Sequence, residues 1–362
     1  MCWSNAAAPP LSEVPLTDSS LREELVDELD QNAVSSELLS GWAEMEAKEL
    51  RVLATTMPPQ QPQPQPIREA ALRFLHALAE TLHIKQNGWL DTVLLFDRYC
   101  SSSKGSAALH IGSLPELCVA IAVIVKKVES SSSVIKVAAL ANLATQYAQW
   151  LAGMGFTSGA HCVLEEHIAR QESAVINALD WRVTSPSVHM WLGVLCRRFD
   201  ILTRGMSTAT LDWVNSRGIT SAGMLVMHQV AFVRMAPRTM ANGLFCTFLA
   251  VAAIVPAESL RPAKLSEREW EALLSESQCQ GAQPLGGGRP ASQSLLGLLQ
   301  VVAGCALPEL QADTHAVLSA MRDIAVGLRA QGARGRPCAR QQATAQHGKS
   351  RAAQGAALSC RR

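Results

Sequence analysis

Apolar residues recur at intervals of three and four through most of the chain, which is the spacing of one face of an α-helix. In residues 36–56 this spacing brings Leu38, Leu39 and Trp42 to one face, with carboxylates between them. The pattern predicts an amphipathic helix whose Trp42 face packs against another part of the protein.

The same period persists from Ile67 to Trp181, and polar breaks divide this stretch into five predicted helices. The third of them, residues 114–129, is apolar nearly all round until Lys126. It begins at Pro115, and proline is favoured in the first turn of a helix. We therefore expect this helix to be buried among the others.

A second helical set follows Pro186, because the residue before a proline disfavours the helical conformation. Its third helix also begins at a proline, Pro237, which stands 50 residues after Ser187, while Pro115 stands 48 residues after Ile67. These matched positions favour a tandem repeat of one helical unit. The predicted fold is all-α, with two tandem five-helix repeats, an N-terminal helix and disordered termini.

Composition and charge distinguish the segments that join and flank the helices. Residues 58–66 are all Pro and Gln, which is typical of an extended linker. Residues 1–66 hold 11 acidic and 3 basic side chains, whereas residues 324–362 hold 8 basic and no acidic ones. The predicted segments are an acidic disordered segment (1–35), the amphipathic helix (36–56), the linker (57–66), a first repeat (67–184), a second repeat (185–328) with a Gly-rich insertion at 277–292, and a basic disordered tail (329–362).

The overall composition narrows the class of protein. With 48% apolar residues in 362 positions, the chain can bury sizeable cores. The largest apolar run, Leu244 to Val255, is too short to cross a bilayer, and no basic region followed by an apolar stretch opens the sequence. These features exclude fibrous and membrane-spanning proteins, and they predict an intracellular protein.

The sequence offers little for metal binding or catalysis. None of the ten cysteines stands in a CxxC motif, and several lie in apolar helices, so we expect free and mostly buried thiols. His161 and His167 flank Cys162, but their spacing matches no zinc pattern. The chain also lacks HExxH, Gly-x-Ser-x-Gly and a phosphate-binding glycine loop after a strand. We therefore predict no metal, no cofactor and no enzymatic activity.

Four degenerate motifs, in order, give the chain a family resemblance. The stretch IREAALRFLHALAETLHIKQNGWLDTVLLFDRYCSS from Ile67 is similar to the opening of a cyclin box, and IVKKVES aligns Lys127 with the lysine of that family. QESAVINALDWRVTSPS then aligns Glu172 and Trp181, and APRTMANGLFCTFLA is similar to the third helix of the second cyclin repeat. Residues 36–255 thus resemble the cyclin family, whose fold is two repeats of a five-helix bundle.

The chain also departs from the family pattern. The acidic residue and the tryptophan of the first cyclin helix are replaced by Arg73 and Phe74. The interval from Lys127 to Glu172 is 45 residues, which is longer than usual. We expect the extra length in an insertion or a lengthened fourth helix between residues 130 and 158, where it would reshape the partner surface.

The resemblance implies a regulatory subunit that binds and activates a cyclin-dependent-type protein kinase and controls cell-cycle progression, in the nucleus and the cytoplasm. Lys127 and Glu172 are the implied kinase-gripping pair; without the resemblance, both would be interpreted as ordinary solvated charges. The other implied kinase contacts are Ile124, Val128, Glu129, Ile176 and Trp181. Aromatic anchors of this kind contribute most of the binding energy at an interface.

Two further implications concern the first helix of the box. Arg68 and Asp97 match a family pair that ties the first helix to the second as an internal ion pair. The surface on which many cyclins capture Arg-x-Leu substrates corresponds here to residues 67–71, with smaller side chains and the carboxylate of Glu69. We expect substrate docking there to be weak or absent.

The two ends of the chain suggest other partners. Residues 22–30 resemble the degradation box of mitotic cyclins, which implies a ubiquitin ligase, although an ordinary charged helix has the same pattern. Arg334 and Arg336 belong to an Arg-Gly-Arg-Pro core that in an AT-hook enters the minor groove; nonspecific polyanion contact and nuclear import are the alternatives. The alternative function is a cyclin-fold transcription-associated or scaffold protein that binds protein or nucleic acid without activating a kinase.

Overall fold

The protein is all-α across the residues that the computed structural model describes, which are 27, 29, 34–56, 65–102, 104–105, 110–130, 135–159, 161–205, 208–228, 235–277 and 293–334. These residues form twelve α-helices, two short 3₁₀ helices (Ile111–Ser113 and Ala257–Leu260) and no strand. The α-helices are α1 (Ser36–Thr56), α2 (Gln65–Thr81), α3 (Gln86–Ser101), α4 (Leu114–Glu129), α5 (Val137–Gly153), α6 (Glu165–Ala178), α7 (Val188–Leu202), α8 (Thr208–His228), α9 (Pro237–Val251), α10 (Glu267–Glu276), α11 (Gln293–Ala303) and α12 (Leu307–Arg334). The all-α prediction is confirmed.

Helix α4 lies at the centre of the first helical group. Every residue from Leu114 to Val125 is buried, and α2, α3, α5 and α6 all pack against the helix. Pro115 stands in its first turn, where a backbone N–H would have no helical partner. The prediction that residues 114–129 form a buried central helix is confirmed.

Helix α9 has the same position in the second group. It too has a proline, Pro237, in its first turn; its residues from Met240 to Ala250 are buried, and it packs against α7, α8 and α12. The contact with α12 is close: a Cβ atom on Gly243 would lie 2.5 Å from both the carbonyl oxygen of Asp313 and Cγ2 of Val317. Only glycine permits this approach of the two backbones.

The two groups share one continuous cluster of buried apolar residues. Helices α2 and α3 of the first group contact α8, and α3 also contacts α7. Arg68 on α2 donates a 2.9 Å hydrogen bond from Nη1 to the carbonyl oxygen of Val226 on α8. The second group is therefore fixed against the first by both apolar and polar contacts.

Helix α1 packs against the second group through an aromatic pair. The rings of Trp42 and Trp191, on α7, meet edge to face with centroids 5.2 Å apart. Glu46, which lies on α1 one turn after Trp42, is buried and accepts a 3.1 Å hydrogen bond from Nε1 of Trp191. The partner of the amphipathic helix is thus the start of α7.

A buried guanidinium also holds the chain just before α1. Arg198 on α7 is fully enclosed and donates to the carbonyl oxygens of Val34, Val301 and Val302 over 2.5, 2.7 and 2.8 Å. The two valines at positions 301 and 302 lie on α11. One side chain therefore joins three separate segments, which explains why a charged residue is retained at the centre of an apolar helix face.

Two helices extend past the predicted segment boundaries. Helix α2 begins at Gln65, two residues inside the predicted linker 57–66, because proline is tolerated in a first helical turn. Helix α12 runs to Arg334, six residues into the predicted disordered tail 329–362, because Ala, Gln and Arg favour helix even without large apolar neighbours. Most of residues 1–35, all but the first residue of the predicted insertion 277–292, and the tail beyond Arg334 lie outside the described residues.

No single described helix is long and apolar enough to cross a membrane. Leu295–Ala303 and Leu307–Arg329 meet the length and composition test only as a pair, with a bend of 77° between them.

The cysteines that the structure describes are free, and four of them are buried: Cys100, Cys118, Cys196 and Cys246. Burial raises the pKa of Cys196 and of Cys246 to about 12, so both thiols stay protonated at neutral pH. Cys162 departs from the expectation, since it is exposed in the segment before α6. The buried thiols contribute to packing and not to chemistry.

Candidate partner-binding surface

Lys127 and Glu172 meet on one surface although 45 residues separate them. Lys127 lies in the last turn of α4 and Glu172 in the middle of α6, and the two helices pack side by side. Nζ of Lys127 is 2.5 Å from Oε1 of Glu172. The lysine side chain is 56% exposed and the glutamate 19%, so the pair is open to solvent on one side and rests on the helices on the other.

An exposed tryptophan follows α6 in a turn of unusual backbone conformation. Asp180 and Trp181 have φ angles of 48° and 65°, in the left-handed region that residues with a Cβ atom avoid. The N–H of Trp181 bonds to the carbonyl oxygen of Ile176 at 2.9 Å, which closes the turn. The Trp181 side chain is left 76% exposed. Such strained positions cost about 1–3 kcal/mol each and cluster at functional sites.

The turn is braced from the first helical group. Nζ of Lys104 lies 3.7 Å from Oδ1 of Asp180 and donates a 3.3 Å hydrogen bond to the carbonyl oxygen of Asn177. The amino group thereby links the loop after α3 to the end of α6.

The three aliphatic residues among the four apolar ones predicted to surround the ion pair differ in exposure. Val128, next to Lys127, is 55% exposed, and Ile176 is partly buried against the core. Ile124 is only 4% exposed, so it supports the surface from beneath and is not itself part of the exposed patch. Ile124 lies about one turn before Lys127 and therefore faces the same direction, but α3 partly covers its side chain.

Glu129 serves a local purpose in the structure. Its carboxylate pairs with Lys126 at 3.3 Å and accepts a hydrogen bond from the N–H of Lys85, also at 3.3 Å. Lys126 in turn donates to the carbonyl oxygen of His83. Glu129 therefore joins the end of α4 to the connection between α2 and α3.

A cleft of about 390 Å³ opens beside this surface, between α3, α4 and residues 183–190. Its wall includes Asp91 on α3 and His189 on α7, with Nδ1 of the imidazole 3.4 Å from Oδ1 of the carboxylate. Val128 and Glu129 line the same cleft, so it is continuous with the patch around Lys127. Sequence analysis missed Asp91, and its only signal was a carboxylate within the apolar run WLDTVLLF.

Arg68 and Asp97 form an internal bidentate ion pair. Nε and Nη2 of the guanidinium donate to Oδ1 and Oδ2 of the carboxylate at 2.9 and 2.7 Å, and both side chains are largely buried. The pair ties α2 to α3, and the further bond to Val226 extends it to α8. It supports the fold and lies apart from the exposed patch.

Residues 67–71, the predicted substrate-docking stretch, offer little open apolar surface. Ala70 and Ala71 are buried, and nearby Phe74 is stacked beneath Tyr147 of α5 with ring centroids 4.0 Å apart. Trp150 then stacks on the outer side of Tyr147 at 5.4 Å.

The residues of the other predicted sites form no further cluster in the part of the chain that the structure describes. His161 bonds to Glu116 at 2.7 Å, and the described residues contain no group of three or more metal-ligating side chains. Of the segment 22–30, only Asp27 and Leu29 are among the described residues, and Leu29 is buried. Arg336 lies outside the described residues, and so does the side chain of Arg334.

Comparison with models of known protein families finds no match, and neither does comparison with curated protein sequences. The exposed residues that remain as candidates for partner binding are Lys127, Glu172 and Val128 at the α4–α6 contact and Trp181 in the turn after α6.

Proposed function

We propose that this protein is a cyclin-like regulatory subunit that binds and activates a cyclin-dependent-type protein kinase. The observation that supports it most directly is the ion pair of Lys127 and Glu172, together with the exposure of Trp181 in the turn that follows the helix of Glu172. These are residues that the resemblance assigns to kinase binding, and the ion pair joins two separate helices, α4 and α6.

The arrangement of the helices is consistent with two tandem cyclin-like repeats. Helices α4 and α9 are each the third helix of their group, each has a proline in the first turn, and each is buried among its neighbours. In this proposal α2–α6 form the first repeat and α7–α12 the second, with α1 packed on the second repeat. A likeness of this kind concerns architecture, so the function depends on the surface itself.

The chemistry of the surface suits a docked helix. Lys127 has further N–H groups and Glu172 has a second oxygen, so the pair can bond to polar groups of a partner while holding its own geometry. Val128 and Trp181 both supply exposed apolar area, and a buried tryptophan at an interface often contributes 2 kcal/mol or more, as an order of magnitude. The indole is already exposed in the free protein, so a partner can reach it without rearrangement of the turn.

Activation would follow from differential binding. A kinase exchanges between states in which its C-helix is turned inward or outward, and only the inward state has the lysine–glutamate ion pair needed for phosphoryl transfer. A protein that binds the inward state more tightly shifts the population toward it. In this proposal the rigid α4–α6 surface binds that helix, and the cell-cycle role in the nucleus and cytoplasm follows from the kinase.

The test is a pull-down with the full chain, followed by mass spectrometry and a kinase assay. We expect wild type to recover a kinase with a cyclin-binding C-helix and the double variant Lys127→Ala, Glu172→Ala to lose it. A matched control breaks a different exposed ion pair, Glu69 with Arg73, whose atoms lie 2.6 Å apart. Recovery of the same kinase by all three proteins would refute the proposed surface.

The second candidate function is a transcription-associated or scaffold protein. The concentration of 8 basic and no acidic residues in positions 324–362 favours it, because such a segment attracts nucleic acid. Binding of duplex DNA that weakens steeply with salt, together with no kinase in the pull-down, would favour this function over the first.

A further inference from the structure

The outward face of helix α5 carries no charged side chain. Residues 137 to 160, which include all of α5, contain no Asp, Glu, Lys, Arg or His. The inward face of the helix packs on α4 and α6. The exposed positions are occupied by small, amide and aromatic side chains: Ala138, Ala139, Asn142, Gln146, Gln149 and Trp150. Since a surface helix usually directs charged side chains toward water, this face has an unusual composition for a position in contact with solvent.

Two large apolar side chains are exposed at the C-terminal end of this helix. Trp150 is 45% exposed, and Met154, which follows the last residue of α5, is 60% exposed. The indole is held in place, because it stacks on the ring of Tyr147, which itself stacks on Phe74 of α2. An ordered tryptophan close to a methionine, on a face that lacks charged residues, matches the composition of the core of a protein–protein interface.

The chemistry of this face suits a second copy of the same face. An amide group both donates and accepts hydrogen bonds, so Asn142, Gln146 and Gln149 can pair with the same groups of another copy. Charged residues could not do so, because like charges would meet across the two-fold axis of a symmetric dimer. A strongly charged partner is disfavoured for a different reason, since it would lose hydration against α5 without gaining an opposite charge.

We propose that two copies of this chain associate through α5 in an antiparallel, two-fold symmetric contact. Helix α5 has 17 residues and is therefore about 26 Å long. Two helices of that length form an interface near the lower end of the size range of specific complexes, so we expect a dissociation constant in the micromolar range. Gln146 lies near the midpoint of α5, and in an antiparallel contact it faces its own copy.

The test measures the mass of the full chain by sedimentation equilibrium at protein concentrations from about 1 to about 200 μM, which bracket the expected affinity. The mass of wild type should rise from 38.9 kDa toward twice that value as the concentration increases. Gln146→Lys and Gln146→Glu should each raise the dissociation constant at least about tenfold, because like charges then meet at the axis. An equimolar mixture of the two variants should dimerise again, because opposite charges then meet.

The matched control places the same charges on another exposed helix face. Ser216 on α8 is exposed, so Ser216→Lys and Ser216→Glu should dimerise as wild type does. Because the side chain of Gln146 is exposed, its variants should unfold at the wild-type temperature in dilute solution. Wild type that stays monomeric up to about 200 μM would overturn the proposal and leave the face to a partner of another kind. A dimer that both Gln146 variants leave intact, or a mixture of them that stays monomeric, would overturn it as well.

Discussion

Nε1 of Trp191 donates a 3.1 Å hydrogen bond to the carboxylate of Glu46, which precedes it by 145 residues. The same carboxylate lies 3.3 Å from the backbone nitrogen of Arg238 at the start of α9. Glu46 thus satisfies donors from two helices of the second group at once. Helix α1 is a structural part of that group, held by polar as well as apolar contacts.

This relationship predicts the effect of Glu46→Ala. Removing the carboxylate leaves two enclosed donors without their acceptor, and each such loss costs about 1–3 kcal/mol. We expect the free energy of unfolding to fall by at least about 2 kcal/mol, measured by urea denaturation. Glu44→Ala on the exposed face of the same helix is the control and should change stability little. Equal effects of the two changes would contradict the assignment.

Arg198 provides a sharper test, because its neighbour offers a matched comparison. Replacing it with Met keeps much of the apolar volume but leaves the carbonyl oxygens of Val34, Val301 and Val302 without a donor. Hydrogen bonds to a charged group contribute about 1.5–3 kcal/mol each, so the loss should be about 3 kcal/mol or more.

The control for Arg198→Met is Arg197→Met. Arg197 is 59% exposed and pairs only loosely with Asp200, at 3.9 Å, so its replacement should cost less than about 0.5 kcal/mol. Hydrogen exchange of the amides in α11 provides an independent reading. Faster exchange there in Arg198→Met alone is the expected pattern, and slower or unchanged exchange would show that Arg198 does not hold α11.

The sequence predicted much of the fold because helical periodicity is a local property. The apolar run in residues 114–129 was enough to identify a buried helix, since no exposed face remained for water. Helix ends were less predictable: Gln65 and Arg334 lie in segments whose composition suggested a linker and a tail, and there local helix propensity decided the outcome.

The candidate surface was only partly predictable. Lys127 and Glu172 were chosen by family resemblance, since nothing in a 45-residue separation indicates a contact. Their 2.5 Å approach depends on how α4 packs on α6, which is a tertiary property. The left-handed turn at Asp180 and Trp181 contains no glycine, which is the usual sequence signal of that conformation. Asp91 was missed because one carboxylate in a helix resembles an ordinary solvated position.

Replacement of glycine by alanine should have opposite effects on stability at Gly243 and at Gly193. Alanine favours helix over glycine by about 1 kcal/mol, so Gly193→Ala in α7, whose Cβ would meet no atom within 4 Å, should stabilise the protein. In α9, the Cβ of Gly243→Ala would lie 2.5 Å from backbone and side-chain atoms of α12, and overpacking of this kind costs about 1–3 kcal/mol. Thermal unfolding should show a rise for the first variant and a fall for the second. A rise for both would mean that α9 and α12 are not in close contact.

Wild type and the variant Asp91→Asn, which has a neutral amide in place of the carboxylate, should differ in how their stability depends on pH. Burial raises the pKa of Asp91 above its ordinary value of 3.8, so the folded state binds a proton more readily than the unfolded state. Asp91→Asn should therefore be more stable than wild type at neutral pH, where the buried anion is costly. That advantage should shrink as the pH falls through the raised pKa toward 3.8, because the wild-type carboxyl then becomes neutral in the folded protein.

His189 acts on stability in the opposite direction. Its pKa is lowered from 6.5 by burial, so wild type loses stability as the pH falls through 6.5, where the unfolded imidazole takes up a proton that the folded one resists. The unfolding free energies of wild type and His189→Asn should be measured at several pH values from 8 down to 5, a range that spans 6.5. The difference between them, wild type minus variant, isolates the contribution of His189 to stability. This difference should decrease as the pH falls, because only wild type loses stability through the imidazole. A flat difference would place His189 in contact with water in the folded protein, and the cleft wall beside Asp91 would then be more open than its geometry shows.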